Sequence, residues 1–351
     1  MLRTLLIALF ALFIAPVAAA NEIQLVAVQL ELDIDDYWTH DAFEQLIRGQ
    51  MAAVAAQTDS EIPTLVVFPE DVGLLLAISG MEKQLAGIDS IEAAIGKAVT
   101  SKLVPLLWTR LIRWKPWVPA LFLNRQNDIA AAYFGTFSAV AREYEMYVVA
   151  GSVLLPPYPI ENGVVRWDKK PTEHNVYNTS YLFGPDGRVI GKQDKIDLIE
   201  LEQEAALNLN SGTIADLRVF ETPIGNIGIA ICLDSFSNEI TNRLVALGAN
   251  ILVQPSANPG PWSEWQQTDW LRSTQLMVGG HQRFVYGVNP MLVGPLWDID
   301  FYGQSAIAAS WQTEARLGYT NLPAEPGFIA VAQSASDPEI LVVRVPHPGV
   351  Q

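Results

Sequence analysis

Cysteine and histidine are scarce in this sequence. Its 351 residues include one cysteine, Cys232, and four histidines. One cysteine cannot form an internal disulfide, and a chain of this length can bury a core large enough not to need one. The histidines lie far apart, without the spacing of metal ligands, at His40, His174, His281 and His347. We therefore expect a fold without internal disulfides and a site without a metal or other cofactor.

Basic residues are also few. Lys and Arg number 22 against 38 Asp and Glu, and the acidic residues are scattered rather than gathered in a tail. Such a chain repels a phosphate backbone, so nucleic acid is not an expected partner. Hydrophobic residues make up 50% of the chain, and no internal repeat or low-complexity linker divides it. We expect one domain over residues 21–351.

The first twenty residues have a pattern of their own. Arg3 gives a positive start, an apolar run follows over Leu5–Ile14, and Ala18–Ala20 provides a small-residue cleavage site. The run is shorter than the roughly 20 residues that a membrane-spanning helix needs. Residues 1–20 therefore predict a cleaved secretory signal and a periplasmic or secreted protein. An uncleaved anchor is the alternative.

Apolar periodicity predicts alternating strands and helices after the signal. Strands are expected at Ile23–Leu30, Thr64–Phe68, Met146–Leu154, Tyr177–Phe183, Val189–Lys195, Leu217–Glu221, Ile227–Cys232, Ile251–Pro255, Phe284–Val288, Met291–Val293 and Ser305–Ala309. Helices are expected at about Asp41–Ala56, Asn127–Glu145, Asn238–Leu247 and Trp265–Gly279. Runs apolar enough to be buried on both faces indicate a layered α/β architecture.

One long segment, about 75–126, departs from this rhythm. Within it, residues 102–123 combine three tryptophans with basic residues in an otherwise acidic chain. That combination is typical of an element at a membrane interface. The alternative is a helical excursion packed on the body of the protein or on a second subunit.

Three polar residues each follow an apolar run, where strand ends gather at one edge of a sheet: Glu70, Lys195 and Cys232. Each alone is unremarkable, and a lone cysteine is usually a small buried hydrophobe. Together they supply what acyl transfer needs. A thiol with an ordinary pKa of about 8.5 requires a base or a positive neighbour. Glu70 can take its proton, and Lys195 can stabilise the thiolate and an oxyanion.

Cys232 also precedes a predicted helix. Asp234 and Ser235 are good N-cap residues for that helix, and free backbone amides at its start can help to hold an oxyanion. The sequence thus predicts a metal-independent nucleophilic site.

Several motifs in order resemble the nitrilase, or carbon-nitrogen hydrolase, superfamily. They are Phe68–Glu70, Gly191–Leu198, Ile231–Glu239, Ala246–Asn250 with Pro255–Ala257, Arg283–Asn289 and Gly303–Ser305, and the similarity covers most of residues 22–345. The resemblance implies a four-layer αββα sandwich that usually pairs into dimers or larger assemblies. It also implies Glu70 as general base, Lys195 as oxyanion stabiliser and Cys232 as nucleophile.

The resemblance further implies a second glutamate shortly after the lysine. Glu202 is the expected match, with Glu200 and Glu204 as competitors. Asp234 and Glu239 are expected to orient the turn and helix after the nucleophile. The chain departs from the family where Lys-x-His-Leu is common, because Asp197 replaces the histidine, which puts the surroundings of the lysine in doubt.

Two remaining patterns have two interpretations each. Trp262, Trp265 and Trp270 line a substrate pocket or form ordinary core or oligomer contacts. Asn178–Ser180 fits a glycosylation sequon, a motif that is frequent by chance.

The leading functional hypothesis is an exported hydrolase that cleaves a non-peptide carbon-nitrogen bond through a Cys232 thioester. Amides are the expected substrates, with nitriles and carbamoyl groups as further options. An alternative is an acyltransferase that passes the acyl group to an amine acceptor at a membrane surface. The third hypothesis is a catalytically silent binding protein.

Overall fold

The computed structural model describes residues 21–102, 116–203, 207–310, 316–317, 319 and 325–349. Three predicted features lie wholly or partly outside the described residues. They are the signal at 1–20, residues 103–115 of the segment 102–123 (the Trp-rich segment), and Glu204.

Helices flank the sheets on two sides. They are α1 (His40–Ala55), α2 (Glu82–Leu85), α3 (Ile91–Ser101), α4 (Trp117–Glu143), α5 (Asn238–Ala246) and α6 (Glu264–Trp270), which continues as a π-helical segment, Leu271–Gly280. Short 3₁₀ turns lie at Ile34–Tyr37, Leu74–Ile78, Glu200–Glu202, Ile214–Asp216 and Cys232–Phe236. Thr39 caps α1 by accepting a hydrogen bond from the Ala42 N–H at 3.1 Å. The residues that α1 buries recur at helical spacing, at Phe43, Ile47, Met51 and Val54.

The strands are β1 (Glu22–Glu31), β2 (Thr64–Val67), β3 (Tyr147–Val149), β4 (Val153–Leu155), β5 (Ile160–Glu161), β6 (Val164–Val165), β7 (Tyr177–Phe183), β8 (Val189–Asp194), β9 (Val219–Thr222), β10 (Gly225–Ile229), β11 (Ile251–Val253), β12 (Ser256–Ala257), β13 (Tyr286–Asn289), β14 (Met291–Leu296), β15 (Ile299–Phe301), β16 (Ala306–Ala309), β17 (Arg316–Leu317), β18 (Glu325–Pro326), β19 (Phe328–Val331) and β20 (Glu339–Pro346). One large sheet runs in the order β12-β14-β1-β2-β3-β7-β4, with β15, β20 and β8 paired to β14, β1 and β7. The second runs β19-β16-β13-β11-β10-β9.

Strand β1 shows how the layers stack. Its alternate residues Leu25 and Ala27 belong to the core between the two sheets, whereas Val26 and Val28 belong to the core beneath α1 and α4. The period of two along a strand thus places both faces in apolar surroundings. A further core packs β10 and β11 against α5 and the π-helical segment through Leu244, Leu252 and Val278. The predicted four-layer αββα sandwich is confirmed.

Several element bounds differ from those expected. Helix α4 begins ten residues earlier than predicted, at Trp117, and the strand expected at Met146–Leu154 is split between β3 and β4. Gly151 lies in this interruption with φ of 58°, a conformation that a β-strand does not contain. Strands β19 and β20 were not predicted. They pair with β16 and β1, and most of their residues are half-buried.

The described part of the Trp-rich segment packs on the protein. Ala120, Leu121, Phe122 and Leu123 at the start of α4 are buried in the core that α4 shares with the larger sheet. For these residues the packed excursion is the interpretation that the structure supports. Within the ranges given above, no helix combines the length and the hydrophobicity needed to cross a membrane.

Candidate active site

Glu70 is delivered by the turn after β2. The Phe68 N–H donates to the Val149 carbonyl at 2.9 Å and so continues the pairing with β3. Asp71 then adopts a left-handed φ of 63°, and its N–H donates to Ser152 Oγ at 2.9 Å. This sharp turn buries the Glu70 side chain at 2% exposure. A non-glycine residue in this conformation is typical of functional sites.

Gly151 packs closely against this turn. A Cβ atom at Gly151 would lie 1.9 Å from the Pro69 carbonyl oxygen, next to Glu70. We expect Gly151→Ala to lower the free energy of unfolding by about 2 kcal/mol or more and to reduce activity, because the turn must shift. The matched control is Gly49→Ala in α1, where a Cβ meets no atom within 4 Å. That change should be neutral or stabilising by about 0.5–1 kcal/mol. Equal stability losses in urea denaturation would contradict this account.

Lys195 follows β8 directly and is 0% exposed. Its N–H donates to the Asn178 carbonyl on β7 at 2.8 Å, which extends the β7–β8 pairing by one residue. Its Nζ lies 2.8 Å from Glu70 Oε1 and 2.6 Å from Glu202 Oε2. The ammonium is therefore held between two carboxylates, one of which is the predicted base.

Cys232 lies three residues beyond the end of β10 in a left-handed conformation, with φ of 50°. Its N–H donates to the Pro255 carbonyl at 2.9 Å, and its carbonyl accepts from Gln254 Nε2 at 3.3 Å. The thiol lies 3.8 Å from the Ala257 carbonyl oxygen, and it is near enough to Glu70 and Lys195 for their charges to act on its pKa. The structure thus brings Glu70, Lys195 and Cys232 together, as the sequence predicts.

Asp234 and Ser235 do not cap the helix after the nucleophile, contrary to the sequence prediction. Ser237 is the N-cap of α5, because Cys232–Phe236 forms a 3₁₀ turn first. The Asp234 carboxylate instead accepts from the backbone N–H groups of Ile231 at 3.2 Å, Ile196 at 3.1 Å and Asp197 at 2.7 Å. Asp234 therefore joins the loop after Lys195 to the turn that carries Cys232. The orienting position predicted for Asp234 agrees with these contacts.

The three candidate glutamates after Lys195 have different positions. Glu202 is 5% exposed and contacts the Lys195 ammonium, and its Oε2 also accepts from the Ile199 N–H at 3.0 Å. Glu200 is exposed, and Glu204 is outside the described residues. Glu239 was predicted to support the site, but it is exposed in the first turn of α5. Its charge acts on Asp197, whose pKa is raised by burial and by this neighbour.

Asn178 is a site residue that sequence reasoning missed. It is 1% exposed, and its Nδ2 donates to Glu70 Oε1 at 2.9 Å and to Glu202 Oε1 at 2.7 Å. The sequence signal for it is its position at the start of β7, the strand next to Lys195. A buried Asn178 cannot accept a glycan in the folded protein, so the sequon interpretation is wrong for the folded state.

Burial and charge set the protonation states of the three central groups. Burial raises the pKa of Glu70, although the Lys195 ammonium opposes the shift. Burial also works against the Lys195 charge, but Glu70, Cys232 and Glu202 outweigh it and hold the pKa of Lys195 well above its usual value. Burial and the negative charge of Glu70 raise the pKa of the Cys232 thiol well above its usual value. At rest, the Cys232 thiol is therefore neutral.

A solvent-accessible pocket of about 570 Å³ opens at the thiol. It is lined by Ile199, Glu200, Leu201, Cys232, Leu233, Phe236, Ala257, Asn258, Pro259, Gln266, Asp269 and Trp270. This volume is typical of sites for small molecules. Within the described lining, the charged side chains are Glu200 and Asp269. The Asp269 carboxylate accepts from Arg272 Nη1 at 2.7 Å.

Of the three tryptophans after Cys232, one lines the pocket and two do not. Trp270 lines the pocket and packs edge-on against Phe236, with ring centroids 5.2 Å apart. Trp262 stands behind Trp270, and its Nε1 donates to Gln304 Oε1 at 3.1 Å. Trp265 is 69% exposed. In the described part of the chain, no three His, Cys, Asp or Glu side chains are grouped as metal ligands.

A sequence model of the carbon-nitrogen hydrolase family matches residues 91–314. This range covers more than half of the chain and includes Lys195, Glu202 and Cys232. Glu70 precedes it.

Curated relatives match over shorter regions. The omega-amidase NIT2 of Xenopus tropicalis is 30% identical over 139 residues, which cover 37% of this chain and 45% of that protein. The human omega-amidase NIT2 is 28% identical over 140 residues, with the same coverage. The chain thus spans about half the length of the curated relatives it matches. A bifunctional nitrilase/nitrile hydratase of Lupinus angustifolius is 28% identical over 37% of this chain and 32% of its own length.

Solved structures match over nearly the whole chain. An amidase from Nesterenkonia sp. superposes with a TM-score of 0.55 at 15% identity, over 95% of both chains. Saccharomyces cerevisiae Nit3, a member of the nitrilase superfamily, gives a TM-score of 0.54 at 17% identity, over 93% of this chain and 91% of its own. At these identities the likeness establishes the shared fold.

Proposed function

The chain belongs to the carbon-nitrogen hydrolase family, and from this premise we propose that it hydrolyses the carbon-nitrogen bond of a small amide through a Cys232 thioester. One observation carries the proposal. The Lys195 ammonium lies within 2.8 Å of Glu70 and 2.6 Å of Glu202, and the charges of Glu70 and Lys195 both act on the neighbouring Cys232 thiol. A base, a nucleophile and a fixed positive charge therefore lie together, and the nucleophile lines the pocket.

The first half-reaction forms the acyl-enzyme. Glu70 takes the thiol proton, and Cys232 Sγ attacks the amide carbon, so that the carbonyl oxygen becomes an oxyanion. The Lys195 ammonium stabilises this charge. The Leu233 N–H is a second donor, because the N–H groups of Cys232 and Asp234 are engaged and Leu233 has no acceptor in the described ranges. When the intermediate collapses, Glu70 returns the proton to nitrogen, ammonia or an amine leaves, and a thioester remains.

The second half-reaction releases the acid. Glu70, again a carboxylate, takes a proton from water, and the resulting hydroxide attacks the thioester carbon. Collapse of this intermediate expels the thiolate, which regains its proton from Glu70. Burial raises the pKa of Glu70, so this pKa lies closer to neutral pH than that of an exposed glutamate. General acid-base catalysis favours a pKa near the working pH.

Hydrolysis and acyl transfer differ in what removes the acyl group. The sequence feature that favoured transfer at a membrane was the 102–123 segment, and its described residues 116–123 begin a helix packed on the protein. We therefore propose water as the acceptor. Mass analysis of the products of amides and nitriles, with and without an added primary amine, tests this choice. Formation of the free acid as the main product in both conditions is expected, whereas a dominant N-acyl amine would show transfer.

The charged lining of the pocket leads to a substrate prediction. Glu200 repels an anionic substituent, whereas Arg272 offsets the charge of Asp269, so we expect succinamate to have a kcat/KM about threefold or more below that of butyramide. Glu200→Gln should narrow this difference a few-fold. Glu221→Gln, at an exposed glutamate outside the pocket lining, is the control and should leave the ratio unchanged. A wild-type preference for succinamate would contradict the prediction.

Export and self-association remain proposals that rest on the sequence. If residues 1–20 are a cleaved signal, protein recovered from the periplasm or medium should have the intact mass of a chain that begins at Asn21. A mass that includes Met1 would instead support the uncleaved anchor. Light scattering of the same preparation tests the dimer.

A further inference from the structure

Two buried carboxylates share one ammonium at this site. Glu70 and Glu202 are 2% and 5% exposed, and Lys195 Nζ is 2.8 Å from the first and 2.6 Å from the second. One positive charge cannot neutralise two carboxylates, so the cluster favours uptake of a proton by one of them. A protonated Glu70 cannot act as the base. Another group must therefore stabilise the second negative charge.

Asn178 has the required geometry. Its amide nitrogen carries two hydrogens, and these reach Oε1 of Glu70 at 2.9 Å and Oε1 of Glu202 at 2.7 Å. Only the NH₂ side of the amide can face two carboxylate oxygens, which fixes the orientation of the side chain. The backbone holds it in place, because the Asn178 carbonyl accepts from the N–H of Lys195. Hydrogen bonds to ionised acceptors are among the strongest in proteins.

The other end of the same amide is not satisfied. Asn178 Oδ1 is buried and has no hydrogen-bond partner within the described residues. Leaving a buried acceptor unpaired costs stability. The unpaired Oδ1 lowers stability, and an asparagine at this position therefore indicates that its two N–H donors have a function between the carboxylates.

We propose that Asn178 is a positioning residue that clamps the Glu70 and Glu202 carboxylates on either side of Lys195 and keeps Glu70 unprotonated and aimed at the Cys232 thiol. Its side-chain amide contacts the Glu70 and Glu202 carboxylates, so it acts through Glu70. The inference deepens the proposed function and rests on Glu70 being the base in it.

Several other titratable groups face Glu70 and are the same in every variant below. They are Lys195, which contacts it directly, Glu202 and Cys232, which act on its pKa, Asp71 next to it in the chain, and Asp234, which interacts with Lys195. Burial raises the pKa of Asp234 to about 7. Because these groups are unchanged, a difference between the pH profiles of two variants reports on residue 178.

The test uses the rate at which iodoacetamide alkylates the full-length protein, followed by intact mass between pH 6 and pH 10. Cys232 is the only cysteine in the chain, so each alkylation reports this thiol and needs no substrate. Asn178→Asp replaces two donors by a third carboxylate at nearly the same volume. We expect alkylation at pH 7 to slow about tenfold or more and the pH at which a given alkylation rate is reached to rise by about one unit or more. Asn178→Ser, which keeps one donor, should shift less.

Asn226→Asp is the matched control. Asn226 lies in β10, its Nδ2 donates to the Gly248 carbonyl at 3.0 Å, and its variant should keep the wild-type profile. In amide hydrolysis, Asn178→Ser should lower kcat while KM stays within about twofold. A structural role alone would slow alkylation equally at every pH.

The inference is overturned if folded Asn178→Asp or Asn178→Ser alkylates with the wild-type pH profile. If Asn178→Asp does not fold, Asn178→Ser carries the test. If the wild-type protein hydrolyses no amide but the alkylation profile shifts as expected, the proposed function fails while the inference about Asn178 stands.

Discussion

Cys232→Ala is expected to abolish amide hydrolysis, lowering kcat roughly 10⁴-fold or more. The thiol is the atom that forms the bond to the acyl carbon, and neither Glu70 nor Lys195 can replace it in that step. Cys232→Ser should be almost as inactive, because an alcohol gives up its proton far less readily than a thiol. Steady-state ammonia release from the best amide measures both variants. Retention of more than trace activity by Cys232→Ala would contradict the mechanism.

Backbone strain at Cys232 supplies the control for folding. Its φ of 50° is costly for any residue with a Cβ and costs nothing for glycine. Cys232→Gly should therefore be more stable than Cys232→Ala by about 0.5–1 kcal/mol in urea denaturation, while both are inactive. That result would show that the protein accepts strain at this position to present the thiol. Equal stabilities would contradict the strain argument and leave the activity prediction to be judged separately.

Lys195→Met is expected to cause the largest loss of stability, about 3–5 kcal/mol. The change leaves Glu70 and Glu202 buried and without a counter-charge, and it removes the stabiliser of the oxyanion. The double variant Lys195→Met, Glu202→Gln should recover part of the stability, because one buried charge is gone, but no activity. Urea denaturation and ammonia release measure the two effects.

Lys192→Met is the control on the same strand. Lys192 pairs with Asp194 at 2.6 Å, but their side chains are 25% and 20% exposed. Solvent reaches this pair in part, so the change should cost clearly less than Lys195→Met, about 1–2 kcal/mol, and leave activity intact. If Lys195→Met were no more destabilising than Lys192→Met, the buried ion cluster would not have the energetic role assigned to it here.

The sequence located Glu70, Lys195 and Cys232 because each follows an apolar run, and runs of that kind end at one edge of a sheet. The resemblance to the carbon-nitrogen hydrolase superfamily placed Glu202 ahead of its competitors. The fold class followed from the same alternation, since a strand such as β1 is buried on both faces. These features depend on local pattern, and a single sequence contains that pattern.

Asn178 and Asp234 could not be assigned in the same way. Asn178 reaches Glu70 only because β7 pairs with β8 in a register that sets Thr179 opposite Asp194 and so Asn178 next to Lys195. The local sequence suggests that Asp234 is a helix cap. Its carboxylate oxygens instead accept hydrogen bonds from the N–H groups of Ile196 and Asp197, which lie in a loop distant in sequence. The exposed Glu239 shows the converse error, because nearness to Cys232 in sequence did not bring it into the site. Register and tertiary contacts decide all three positions.

The measurement that tests the central claim most directly is intact-mass analysis of the wild-type protein, quenched in acid within the first turnovers on a good amide. The account predicts a mass gain equal to the acyl group less one hydrogen, located on the peptide that contains Cys232 and removed by hydroxylamine. It predicts no such gain for Cys232→Ala. Turnover in which the acyl group is found on a different residue, or an adduct of the same mass on Cys232→Ala, would contradict the account.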